Sequence, residues 1–207
     1  LPVAAFLIPI SIHFALMNAT QSVARLVRRA HAVSFTWGMV ESMLFFLVPD
    51  VILSVVAIHS LRRSLWSCVW AVAGAMVGGL VMYVWGVQDH VTALRVLDAV
   101  PAIPADMLVK VHKELSDKGL VAMLSGPLVG IPYKIYAVQA GALGLPWPLF
   151  LLMTIPARII RFLITCVVFN FLAGPIRRYG GPKAVAGCWM LFWVLNYTFY
   201  WHANMRP

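Results

Sequence analysis

Two long apolar stretches of this chain are broken at their centres by a proline beside an ionisable residue, and that placement limits what each stretch can become. Residues 33–60 carry Glu41 and then Val48-Pro49-Asp50, and residues 119–147 carry Gly130-Ile131-Pro132-Tyr133-Lys134. A helix running straight through a bilayer would bury a breaker and a charge where no water serves either. A re-entrant hairpin avoids this, because two short half-helices enter and leave through one face and meet at a tip whose free backbone groups are met by protein or trapped water. The expectation is therefore two such hairpins, with Pro49 and Pro132 at their tips.

The bilayer itself is implied by composition. Of 207 residues, 62% are hydrophobic and 11% charged, against roughly 45–50% and 25% in soluble domains. Too little polar surface remains to cover a particle in water, and disordered, coiled-coil and collagen classes are excluded as well. The net charge of +9, from 16 Lys+Arg and 7 Asp+Glu, would suggest nucleic acid in a soluble chain. Its distribution points instead to topology. Segments 25–29, 62–63 and 177–183 hold Arg25, Arg28, Arg29, Arg62, Arg63, Arg177, Arg178 and Lys183 with no acid, whereas 88–118 sets Arg95, Lys110, Lys113 and Lys118 against Asp89, Asp98, Asp106, Glu114 and Asp117. The positive-inside rule puts the first three segments on the cytoplasmic face and 88–118 on the other. Hairpins satisfy that arrangement and full spans do not, so no nucleic-acid partner is expected.

The remaining segments follow. Residues 1–20 form an apolar helix that spans or lies at the interface, joined by a basic linker to residue 32. Residues 64–86 are a transmembrane helix whose Gly74 and Gly78, four apart, mark a face for close packing within the monomer. Segment 88–118 is a surface loop; Met107, Leu108, Val111 and Leu115 give it an amphipathic helix after Pro104, ended by Gly119. Residues 148–173 are a second transmembrane helix, 174–183 a basic loop, and 184–207 a C-terminal helix whose Tyr197, Tyr200 and Trp201 read as an interfacial belt. The fold class is thus all-α integral membrane: two oppositely oriented re-entrant hairpins, each followed by a transmembrane helix, forming an inverted repeat with terminal helices added. Transporters commonly use this plan.

Five ionisable residues fall at membrane depth: Glu41, Asp50, Lys134, Arg158 and Arg161. Each costs roughly 2.5–3.5 kcal/mol at a helix centre, so each needs a partner or water. One reading is a set of ion pairs that only specifies packing. The other is a wet cavity in which Arg158, Arg161 and Lys134 hold an anionic headgroup and Glu41 or Asp50 exchanges protons. Arg158 and Arg161 share a helix face, and their planar forks suit phosphate. Tyr133 stands beside that tip as a candidate lining residue. The six histidines show no metal-ligand spacing. There is no phosphate loop, nucleophile elbow or Cys-x-x-Cys, and the odd set Cys68, Cys166 and Cys188 implies no disulfide framework. Neither cofactor, metal nor enzymatic activity is expected.

Taken in order, Glu41 with Val48-Pro49-Asp50, the Gly74 to Gly86 helix ending Tyr83-Val84-Trp85-Gly86, Gly130-Ile131-Pro132-Tyr133 with Ala140-Gly141, and Arg158-Ile159-Ile160-Arg161-Phe162 resemble the DedA family of VTT-domain, or SNARE-associated, membrane proteins. The likeness covers about residues 33–180 and is nearest to the branch with an Arg-x-x-Arg-Phe pattern. It implies opposed re-entrant hairpins and movement of lipids between leaflets, proton coupling having been proposed for the family. It places Glu41 and Asp50 at the family's first-hairpin acids. Many bacterial members carry two arginines in the second hairpin; here Gly126 to Tyr133 has none and Lys134 is the only cation, a departure from the polyprenyl-phosphate pattern. The expected function is a flippase or scramblase for an anionic phospholipid or lipid-linked phosphate in a bacterial inner membrane, as a homo-oligomer or within a larger membrane complex. The alternatives are a proton-coupled transporter of a small solute and a non-transporting assembly subunit.

Overall fold

The computed structural model describes residues 27, 29–43, 48–100, 103–126 and 129–204. The apolar segment 1–20, Arg25 and Arg28 lie outside them. Among the described residues the secondary structure is entirely helical: α1 Ala30–Met43, α2 Asp50–His59, α3 Leu61–Gln88, α4 His90–Asp98, α5 Ala105–Lys118, a 3₁₀ segment Gly119–Leu124, α6 Tyr133–Ala142 and α7 Trp147–Asn204. Two of them, α3 and α7, are long and apolar enough to cross a membrane, which fits a helical membrane protein.

The spine is α3. Its 28 residues span roughly 42 Å at the α-helical rise. Ser60 caps its start, its side chain accepting from Arg63 N–H. Glycines on two edges of α3 let two other helices come to backbone contact. A Cβ on Gly74 would stand 2.0 Å from Phe35 O and one on Gly78 2.3 Å from Met39 O, so α1 lies in that groove. On the other edge a Cβ on Gly79 would strike Tyr133, and one on Gly86 would stand 2.1 Å from Val138 O, so α6 lies there. The expected small-residue packing is therefore within the chain, and it has two seams instead of one.

The contacts also give direction. Residues 35 and 39 meet 74 and 78, while 133 and 138 meet 79 and 86, so α1 and α6 both run parallel to α3. By contrast α2 runs back along the start of α3, with Ser64 Oγ donating to Leu53 O at 3.0 Å. The first part of α7 runs antiparallel to α3: Phe150 stacks on Tyr83, and Cys166 meets Cys68.

Two boundaries differ from expectation and one matches it. The polar loop holds an extra helix, α4, started by Asp89 accepting from Thr92 N–H at 3.0 Å. The amphipathic helix after Pro104 is present as α5 and stops at Gly119, whose φ of 61° suits glycine. The predicted basic loop 174–183 is helical except at Gly181, whose φ of 74° ends one helix and begins another. Pro182 follows at the first position of the new helix, where a missing N–H costs nothing. Phe169 stacks on Trp193 at 6.1 Å between ring centres; a continuous helix would hold them roughly 36 Å apart, so 182–204 folds back along 147–180.

Charge follows the ends of the spine. Arg62 and Arg63 start α3, and Arg177 reaches the end of α2 by donating to Ile58 O at 3.0 Å. The mixed segment with α4 and α5 follows the opposite end of α3.

Candidate functional site

Each tip proline starts a helix, and each helix brings ionisable residues with it. Pro49 precedes α2, so Asp50 occupies the first turn, where the helix dipole favours a carboxylate. Pro132 precedes α6, setting Tyr133 and Lys134 at its first turn. Glu41 lies near the C-terminal end of α1, and α7 supplies Arg158 and Arg161.

Two ion pairs result. Arg158 donates to Glu41 Oε2 at 2.7 Å and to Ser42 Oγ at 3.3 Å, and the two charged side chains are only 2% and 7% exposed. Arg161 stands 3.0 Å from Asp50 Oδ2, the arginine 27% exposed and the carboxylate 1%. Thr165 donates to Asp50 Oδ1 at 2.8 Å. The Arg161 guanidinium aligns no N–H on Oδ2, and Arg158 Nε is likewise buried without an acceptor. The first pair is sealed and the second is open on the arginine side.

Around Arg158 the site is aromatic. Its guanidinium lies 4.4 Å from the Tyr133 ring centre and 5.9 Å from that of Phe162. Thr154 Oγ1 gives its hydrogen to Phe150 O at 2.9 Å, so Tyr133 Oη donates to Thr154 at 2.8 Å. Tyr133 thus presents its face, not its hydroxyl, to the arginine. Lys134 is buried within electrostatic reach of Glu41 and Arg158. The cluster lies at a seam: Ala157 belongs to the apolar core around α6 and Phe162 to the core between α2 and α3.

The structure therefore brings together all five ionisable residues and Tyr133, with Pro49 and Pro132 at the starts of the helices that deliver them. Ser42, Thr154 and Thr165 complete the polar set. Tyr136 and Gln139 go elsewhere. Tyr136 donates to Glu114 at 2.9 Å and Gln139 donates to Leu108 O at 2.8 Å, so both tie α6 to α5.

Sequence reasoning missed the C-terminal helix as part of this site. Tyr197, read from the sequence as part of an interfacial belt, makes a contact within the chain: its Oη accepts from Val48 N–H at 3.0 Å. Tyr200, one turn on, lies against Gly130, whose hypothetical Cβ would be 3.8 Å from the ring. Trp189 and Trp193 both donate to Ser54 Oγ, at 2.9 and 3.1 Å. One helix thus touches both tip segments. Among the described residues no cluster of His, Cys, Asp or Glu is suited to a metal.

Compared with family models, curated proteins and solved structures, the chain gives no match.

Proposed function

We propose that this chain is a membrane protein of the DedA type that moves an anionic phospholipid or lipid-linked phosphate between bilayer leaflets, in a bacterial inner membrane. In this reading residues 33–60 and 119–147 are opposed re-entrant hairpins. Their support is dimensional and directional. The 10-residue α2 and α6 are about 15 Å long, half a bilayer core. Moreover, α1 and α2 run in opposite directions along one end of α3, whereas α6 lies along the other end.

The observation that carries the function is the unequal burial of the two pairs. Three cations face two acids, and Arg161 is 27% exposed while Arg158, Glu41 and Asp50 are closed off. A phosphate reaching this seam meets Arg161 first and takes a bidentate contact without stripping Asp50, which Thr165 still holds. Arg158, fixed by Glu41 and Tyr133, supplies field and shape behind it. Glu41 and Asp50 are the proton-coupling candidates of this reading.

The test is purified full chain in liposomes with a fluorescent phospholipid, scored by reduction of the label in the outer leaflet with and without a pH gradient. Leaflet exchange is expected, lowered at least about tenfold by Arg161→Ala, with the variant still eluting as the folded protein. Absence of exchange under both conditions, or normal exchange in an Arg158→Ala, Arg161→Ala double variant, overturns the reading.

A further inference from the structure

Apart from the ion pairs, the most reactive groups that the fold brings together are two sulfurs. Cys68 on α3 and Cys166 on α7 are both fully buried, and their Sγ atoms are 3.3 Å apart. A disulfide needs about 2.0 Å, so closure asks for side-chain rotation and a small approach of two helices already in contact. The sulfurs are packed among Leu53, Ala57, Ala71 and Phe162, surroundings that disfavour a thiolate.

One group offsets that. Ser64 Oγ lies 3.0 Å from Leu53 O and 2.7 Å from Cys166 Sγ. Its single hydrogen serves either acceptor. When Cys166 is a thiol, the hydrogen stays on the carbonyl; when Cys166 ionises, the charged sulfur becomes the stronger acceptor and the hydroxyl turns to it. Cys166 is thus equipped to attack, with Cys68 directly opposite. Cys188 is exposed on the returning helix and serves as an internal reference.

We propose that Cys68 and Cys166 form a redox-closable dithiol, a reversible staple between α3 and α7. The co-reactant is a small uncharged two-electron acceptor. With an azodicarboxamide, the Cys166 thiolate adds to one nitrogen of the N=N bond. Cys68 then attacks that sulfur, the S–S bond forms, the S–N bond breaks, and the hydrazine leaves with both thiol protons and both electrons. Thr165, adjacent to Cys166, holds Asp50, so the staple fixes α7 beside the second ion pair. Arrest of leaflet exchange by the staple rests on the translocation reading; formation of the staple does not.

The experiment uses the full chain in liposomes, treated with diamide, denatured, alkylated with N-ethylmaleimide and digested for mass spectrometry. The expected product is a Cys68–Cys166 linked peptide lacking two hydrogens, reversed by dithiothreitol, with Cys188 alkylated. A Cys188→Ser variant leaves the core untouched and should give the same link. Recovery of Cys68 and Cys166 as alkylated thiols after both diamide and membrane-permeant iodine overturns the dithiol. Where the link forms, exchange should fall at least about tenfold and return on reduction; unchanged exchange overturns the arrest. If the reduced protein shows no exchange, translocation fails, and the linked peptide still decides the dithiol.

Discussion

Removing Glu41 should destabilise the protein more than removing its partner, and removing both should cost less than removing Glu41 alone. Glu41 and Arg158 meet at 2.7 Å with 7% and 2% of their side chains exposed, so water has little access to whichever charge is left. Stripping one member of such a pair costs about 3–5 kcal/mol, whereas replacing both is often near neutral. Glu41→Gln leaves Arg158 buried without its carboxylate and still within electrostatic reach of Lys134. Arg158→Met leaves Glu41 opposed by Lys134 and puts a thioether over the Tyr133 ring that the guanidinium now covers at 4.4 Å. Glu41→Gln should therefore sit at the upper end of that range and Arg158→Met at or below its lower end.

For a chain of this size about 3–5 kcal/mol corresponds to a fall in Tm of roughly 6–20 °C. The assay is thermal unfolding of each single variant and the double variant in one detergent, followed by tryptophan fluorescence, with a denaturant titration to complete the double-mutant cycle. A coupling energy of about 2 kcal/mol or more is expected. Additive losses, or single variants within about 1 kcal/mol of the parent protein, would show that the pair is solvated and refute the sealed site.

Gly74→Ala should destabilise strongly, because its Cβ would stand 2.0 Å from Phe35 O and α1 must back away from α3; Gly174→Ala, with nothing within 4 Å, should raise stability by about 0.5–1 kcal/mol. Both are read by Tm in detergent. Tyr197→Phe removes the acceptor of Val48 N–H, costing about 1 kcal/mol and speeding hydrogen exchange at Val48 before that of α3. Asp89 is fully exposed, and its hydrogen bond from Thr92 lowers its pKa below 3.8. That capping contribution is present above the unfolded value and lost as pH falls through the folded one. Asp89→Asn should keep α4 capped and abolish the acid-side loss of exchange protection at Thr92.

That the ionisable residues need one another was legible; which residue meets which was not. The five ionisable side chains stood out because a bilayer makes each one costly, and the three-residue spacing of Arg158 and Arg161 put them on one face. Their acids were assigned by register: the backbone contacts at Gly74 and Gly78 slide α1 along α3 until Glu41 is level with Arg158. Glycine spacing advertises close packing and does not name the partner helix, so the second seam at Gly79 and Gly86 stayed hidden. Helix α4 was lost in a balanced run of charges, although Asp89 three residues before Thr92 was a readable cap. The segment 174–183 looked like a loop because Gly and Pro crowd it, yet a helix tolerates Pro175 and only Gly181 takes a conformation that stops it.

Tyr197 shows why the last part of the site could not be read from the chain. An aromatic near the end of an apolar helix has the same composition whether it rests in headgroups or turns inward, and only the reversal at Gly181 returns it to Val48. That reversal also bears on mechanism. The helix that touches both tip segments is joined at Gly181 to the helix that carries both arginines, so any movement of Arg161 toward a ligand is opposed by contacts that Tyr197, Trp189 and Trp193 make with α2 and the turn before it. The segments behind the open pair are thus held by hydrogen bonds of modest strength, about 1 kcal/mol each, whereas parting the sealed pair would leave a buried charge uncompensated, at about 3–5 kcal/mol. In the proposed reading Arg161, 27% exposed, is the member that exchanges partners with a ligand, and the sealed Arg158 is the fixed point beside it.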